Sequence, residues 1–198
     1  TSGISGSLSG VTYGNGLFVT VGQSGTIFTS PEGTSWDNRT SGTSELLNEV
    51  TYGNGLFVTV GESGTILTSS DGTSWDNRTS GTSNILVGVT YGNELFVIVD
   101  EYGTILTSSD GTSWDNRTSG TTKYLFGVIY GNGTFVTVGE SGTILTSSDG
   151  TSWDNRTSGT SEYLSGVTYG NGIFVIVGYS GTILTSSDGT SWDNRTSG

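Results

Sequence analysis

The chain has 198 residues, with 34 glycines, one proline, no cysteine, no histidine and a formal net charge of −12. That length suffices for one core or one closed repeat array. The missing cysteine rules out a disulfide framework, and the acidic balance repels phosphate backbones and anionic membranes, so neither nucleic acid nor membrane is expected as a partner. Hydrophobic residues make up only 31% of the chain, but they fall in short regular runs rather than being diluted through it. No run approaches the 18 residues of a transmembrane helix, and no basic start followed by an apolar stretch reads as a signal peptide.

The elements repeat. Trp36, Trp75, Trp114, Trp153 and Trp192 are each 39 residues apart, and the whole chain follows that period as units 1–39, 40–78, 79–117, 118–156 and 157–198 of one domain. A fixed period of this size marks a solenoid, propeller or array. In the unit 40–78 a first strand is expected near Leu47 to Tyr52. Asn54-Gly55 then makes a tight turn, because such hairpin turns need positive φ. Leu56 to Val60 is the second strand, and its near-continuous apolar run reads as covered on both faces. Gly61 to Gly64 is a loop, and Thr65 to Thr68 the third strand. Asp71-Gly72 is read as a second hairpin turn and Ser74 to Thr79 as the fourth strand. That last strand carries Asp76, Asn77 and Arg78, charges that suit an outer edge.

A unit this short cannot cover both faces of its own sheet, and stacking in a ring solves the problem. The expected fold class is therefore all-β: a five-bladed β-propeller of four-stranded antiparallel blades, one repeat per blade, with no strand swapped between the termini. The five tryptophans are read as structural wedges between sheets. Burying an indole removes ~150–250 Å² from water, at most about 4–6 kcal/mol. Closure within one chain, and hence a monomer, is expected. The alternative architectures are an open fragment of a longer array and two chains sharing a larger ring.

The segment Ser69-Ser70-Asp71-Gly72-Thr73-Ser74-Trp75 resembles the Asp-box, or bacterial neuraminidase repeat, of sialidase-like propellers, although one residue shorter, and the first copy has Pro31-Glu32 in place of Ser-Asp. The wider pattern also resembles the propeller of the photosystem II assembly-factor family. Both resemblances imply the fold and leave function open. The sialidase resemblance would imply an arginine cluster at the ring centre. Here Arg39, Arg78, Arg117, Arg156 and Arg195 occupy a single repeat position on the outer strand, and Arg78 is placed to pair with Asp76 two residues before it. Near-identity of the copies is what recent amplification or deliberate design leaves.

Chemistry is scarce. Without histidine or cysteine, no serine or threonine has an imidazole to activate it and no transition-metal site is expected. No D-x-D-x-D-G run suggests calcium. Catalytic residues, metal and cofactors are thus all read as none. Asp71, Asp110, Asp149 and Asp188 are read as turn-makers. The recurring Asn77-Arg78-Thr79 sequon and Asn132-Gly133-Thr134 are read as accidents of repetition. Differences among copies concentrate in two connections: the entry to the first strand, beginning in the first copy at Ile4, and the link between the second and third strands. In an up-and-down blade these emerge on one face, which would carry Glu45, Glu62, Glu101, Tyr102, Lys123, Tyr124, Phe126, Glu162, Tyr163 and Tyr179, with Glu140 beside them. Aromatic and adaptable polar residues suit recognition. The sequence therefore reads as a non-enzymatic symmetric scaffold, with a glycan- or protein-binding module on the variable face as the alternative.

Overall fold

The computed structural model describes residues 6–196; Ile4 and the restart of the pattern at Ser197-Gly198 lie outside them. Five four-stranded sheets follow one another along the chain, each ordered as its strands occur in sequence and none exchanging a strand with another. In the first blade these are β1 (Leu8–Gly14), β2 (Leu17–Gly22), β3 (Ile27–Ser30) and β4 (Asp37–Arg39). In the second they are β5 (Leu47–Gly53), β6 (Leu56–Gly61), β7 (Ile66–Ser69) and β8 (Asp76–Arg78). All pairings are antiparallel, and the first two strands of each blade share a bulge near the start, between Leu47 and Glu49 in the second. The innermost strands of consecutive blades pack on one another, so the first strands line the axis and the fourth lie at the rim.

Local chemistry explains the turns. Asn54 (φ 49°) and Gly55 (φ 76°) are both left-handed, as the tight hairpin between β5 and β6 demands. The third blade makes the same turn with Glu94 at φ 60°, a conformation glycine tolerates better. Gly61 to Gly64 is a loop between β6 and β7, as expected. It closes as a short 3-10 turn with Ser63 left-handed. The Asp71-Gly72 connection is wider than the expected hairpin. β7 ends at Ser69 and β8 begins at Asp76, so Trp75 sits in the loop and not on the outer strand.

Each junction between blades holds an apolar cluster. At the first, Val19, Val21 and Ile27 meet Leu47, Val50, Phe57 and Leu67, with Leu17, Tyr52 and Trp75 packed around them. The same set recurs at the next three junctions around Trp114, Trp153 and Trp192. Each indole lies 6.2–6.5 Å from the phenylalanine of its own blade. Its Nε1 donates to the carbonyl of the turn glycine, 3.1 Å from Trp75 to Gly72.

One expectation from the sequence does not hold among the described residues: blade five does not pack on blade one. Leu8, Val11 and Tyr13 are 46%, 64% and 58% exposed, whereas their equivalents Leu47 and Val50 are buried. On the other end Ile173 and Val177 are exposed while Phe174 and Ile176 between them remain buried. Alternate residues of a strand point to opposite faces, so this alternation means one face of blade five has no neighbour. The five blades form an open arc, and self-closure, the ground for expecting a monomer, is absent.

Candidate functional site

The rim polar groups are committed to structure. Asp71 Oδ1 accepts from the amides of Thr73 (2.8 Å) and Ser74 (3.0 Å) and from the Ser69 hydroxyl (3.1 Å). These donors, the Ser74 amide foremost, hold its carboxyl well below the usual carboxylate range. Asp110, Asp149 and Asp188 repeat the arrangement. In the first blade Glu32 reaches the Ser35 amide at 3.1 Å in its place. Arg78 donates through Nε to Thr68 Oγ1 (2.8 Å) and through an Nη to Asp76 (3.0 Å). All five arginines do the same on the outer strand, so none converges on the axis. Among the described residues no group of three or more His, Cys, Asp or Glu is placed to hold a metal ion.

The two variable connections meet, as their strand order requires. The amide of Glu62, which opens the connection between β6 and β7, donates to the carbonyl of Leu46, just before β5, at 2.9 Å. On blades four and five this juxtaposition assembles an aromatic strip. Tyr124 stacks on Phe126 with centroids 4.5 Å apart and planes 19° from parallel. Phe126 tilts against Tyr163 at 6.0 Å, and Tyr163 against Tyr179 at 5.5 Å. These separations lie within the range of favourable aromatic pairs. Tyr163 donates its hydroxyl to Glu140 Oε1 at 3.4 Å. The Glu140 charge, with a smaller contribution from burial, raises the Tyr163 phenol. Burial first, then the charges of Glu101 and Asp100, raise that of Tyr124.

The remaining expected positions do not join the strip. Tyr102, on blade three, is 61% exposed and makes none of the aromatic pairs. Glu45 accepts from the Ser63 hydroxyl at 3.2 Å, and the Glu101 carboxylate accepts from the Ile85 amide at 3.2 Å. Glu62 opens the 3-10 turn of blade two. The backbone amides of Lys123 and Glu162 donate to the Thr121 and Thr160 hydroxyl oxygens.

Asp100 lies outside the expected site residues and replaces the glycine found at positions 22, 61, 139 and 178. It is fully buried. Its carboxylate accepts from the amides of Tyr102 (2.9 Å) and Thr104 (2.6 Å) and from Asn84 Nδ2 (2.7 Å), stitching the third blade's connection without a 3-10 turn. The coincident change to Asn84 in the entry segment was the available signal.

No family profile matches the sequence, and no curated protein matches it. Solved structures do. YCF48 bound to D1 peptide superposes with a TM-score of 0.74 at 17% identity, over 96% of this chain and 67% of that one. The computationally designed Ika8 protein gives 0.79 at 15% identity, over 96% and 61%. The WD40 propeller domain of Doa1 gives 0.77 at 14% identity, over 98% and 69%. The chain thus spans roughly two thirds of the length of these structures. Such identities carry fold and nothing further. The chain has the β-propeller fold, built from five repeated four-stranded blades.

Proposed function

We propose that this chain is a non-enzymatic scaffold whose rigid blades present an aromatic recognition strip. The carrying observation is the continuous run of four rings, Tyr124, Phe126, Tyr163 and Tyr179, edged by Glu140. Rings already packed against one another lose little conformational freedom on binding and offer broad apolar surface with polar tips. The neighbouring carboxylates Glu101 and Glu140, in a chain of net charge −12, favour an extended protein segment bearing basic side chains. The peptide held by one structural neighbour supports a protein ligand. The turn carboxylates support the Asp-box reading as architecture, since their lone pairs are used by their own loop.

The test is a screen of a basic-peptide library and a glycan array with the wild type, Tyr124→Ala and Tyr163→Ala. Peptide hits weakened at least tenfold by either substitution, with unchanged far-UV spectra, are expected. Absence of hits, or hits indifferent to both changes, overturns the strip. Glycan hits alone would replace the proposed ligand class.

A further inference from the structure

The two ends of the arc are the two halves of an interface that the chain already forms four times. At each internal junction, the tyrosine ring near the end of one innermost strand covers the last glycine of the preceding one. Tyr52 lies over Gly14, Tyr91 over Gly53, Tyr130 over Gly92 and Tyr169 over Gly131. The first residue of the second strand also enters the Asp-Gly turn of the next blade, as Leu17 enters at Gly72. An asparagine from one blade then donates to a carbonyl of the next, Asn54 to Ser109, Asn93 to Ser148 and Asn132 to Ser187, at 3.3–3.5 Å.

Every component of a fifth junction is present and unused. Gly170 has open space where the other four glycines carry a tyrosine, and Tyr13 is 58% exposed. Ile173 projects from blade five in the position of Leu17. On blade one, Leu8, Val11, Phe28 and Trp36 border a groove of about 560 Å³ beside the turn at Gly33. Asn171 stands in the position of Asn54, and the carbonyl it would reach by the repeat belongs to Pro31, which retains it despite lacking an amide hydrogen. The two ends of the arc stay apart, with Tyr13 exposed and nothing over Gly170.

The geometry points to head-to-tail self-association: the free face of blade five packs on the free face of blade one of a second copy, placing Ile173 in the groove and Tyr13 over Gly170. Continuity with the four internal junctions identifies the occupant, because the free faces carry the same repeat positions that pair at each of them. The contact is heterologous, so it closes a ring of copies or runs on as an open assembly.

Sedimentation equilibrium or light scattering of the 198-residue chain tests this, with Val11→Asp and Ile173→Asp as variants. Both positions are exposed, so a circular dichroism spectrum like wild type checks their folding. The wild type should reach at least twice 20.5 kDa at high micromolar concentration. Each variant alone should stay at 20.5 kDa, since each has lost one partner face. Mixed in equal amounts they should restore a dimer and nothing larger, joined by the intact blade five of Val11→Asp and the intact blade one of Ile173→Asp. A wild type that stays monomeric, assembly unaffected by either substitution, or a variant that self-assembles alone would overturn the proposal.

Discussion

The turn glycine of the second blade should be far less replaceable than its twin in the first. Gly72 and Gly33 occupy the same repeat position with φ of 74° and 78°. Alanine in either place meets the left-handed backbone penalty, about 1–2 kcal/mol. Their surroundings differ. A methyl group on Gly72 would lie 2.5 Å from Leu17 Cδ2, whereas on Gly33 its nearest neighbour is Phe18 Cε2 at 3.7 Å, ordinary contact. Overpacking a filled junction adds about 1–3 kcal/mol. Gly33→Ala should therefore cost about 1–2 kcal/mol and Gly72→Ala about 2–5 kcal/mol. Urea unfolding followed by tryptophan fluorescence, at dilutions that keep copies apart, measures both. Leu17→Ala removes the obstructing methyl, so the double variant with Gly72→Ala should be more stable than the sum of the single losses by about 1–3 kcal/mol. Equal costs for the two glycines, or simple additivity in the double variant, would refute the knob-in-turn account of the junction.

Two further expectations concern single blades. Replacing Glu94 by Gly should stabilise the third blade by about 0.5–1 kcal/mol, because its φ of 60° strains any residue with a Cβ; an unchanged urea midpoint would deny that strain. Acid should destabilise the array through its turn carboxylates. Asp71, Asp110, Asp149 and Asp188 titrate lower folded than unfolded, so their contribution is present above the ordinary aspartate range near pH 4 and fades as pH falls below it. Thermal melts of the fourfold Asp→Asn variant should show a flatter acid limb, and an unaltered limb counts against the turn bonds. Glu49 acts in the opposite sense: burial raises its carboxyl, so its own contribution declines as pH rises through the folded value, and Glu49→Gln should remove that decline.

Blade architecture was legible because each strand carries its own instructions. Asn54-Gly55 dictates a tight left-handed turn wherever it occurs, and Asp76 and Arg78 belong at a rim where charge stays hydrated. The width of the Asp71 loop was not legible, since Asp-Gly also serves a two-residue hairpin. Only the amides converging on Asp71 Oδ1 show that the carboxylate organises a longer turn and leaves Trp75 in it. For the aromatic strip, the variable positions could be assigned to one face from strand order alone. Which rings meet depended on blade spacing, which placed Phe126 against Tyr163 and left Tyr102 alone.

The sequence by itself determined the blade: its four strands, its Asn-Gly hairpin, its two apolar faces and its period of 39 residues. It could not determine how many neighbours a blade has. The second-strand run is nearly the same in every copy, yet it is covered in blade two and alternately bare in blade five. Apolar residues require cover without naming its source. Only the packed array shows that the five blades do not meet end to end, leaving Tyr13 exposed and Gly170 uncovered.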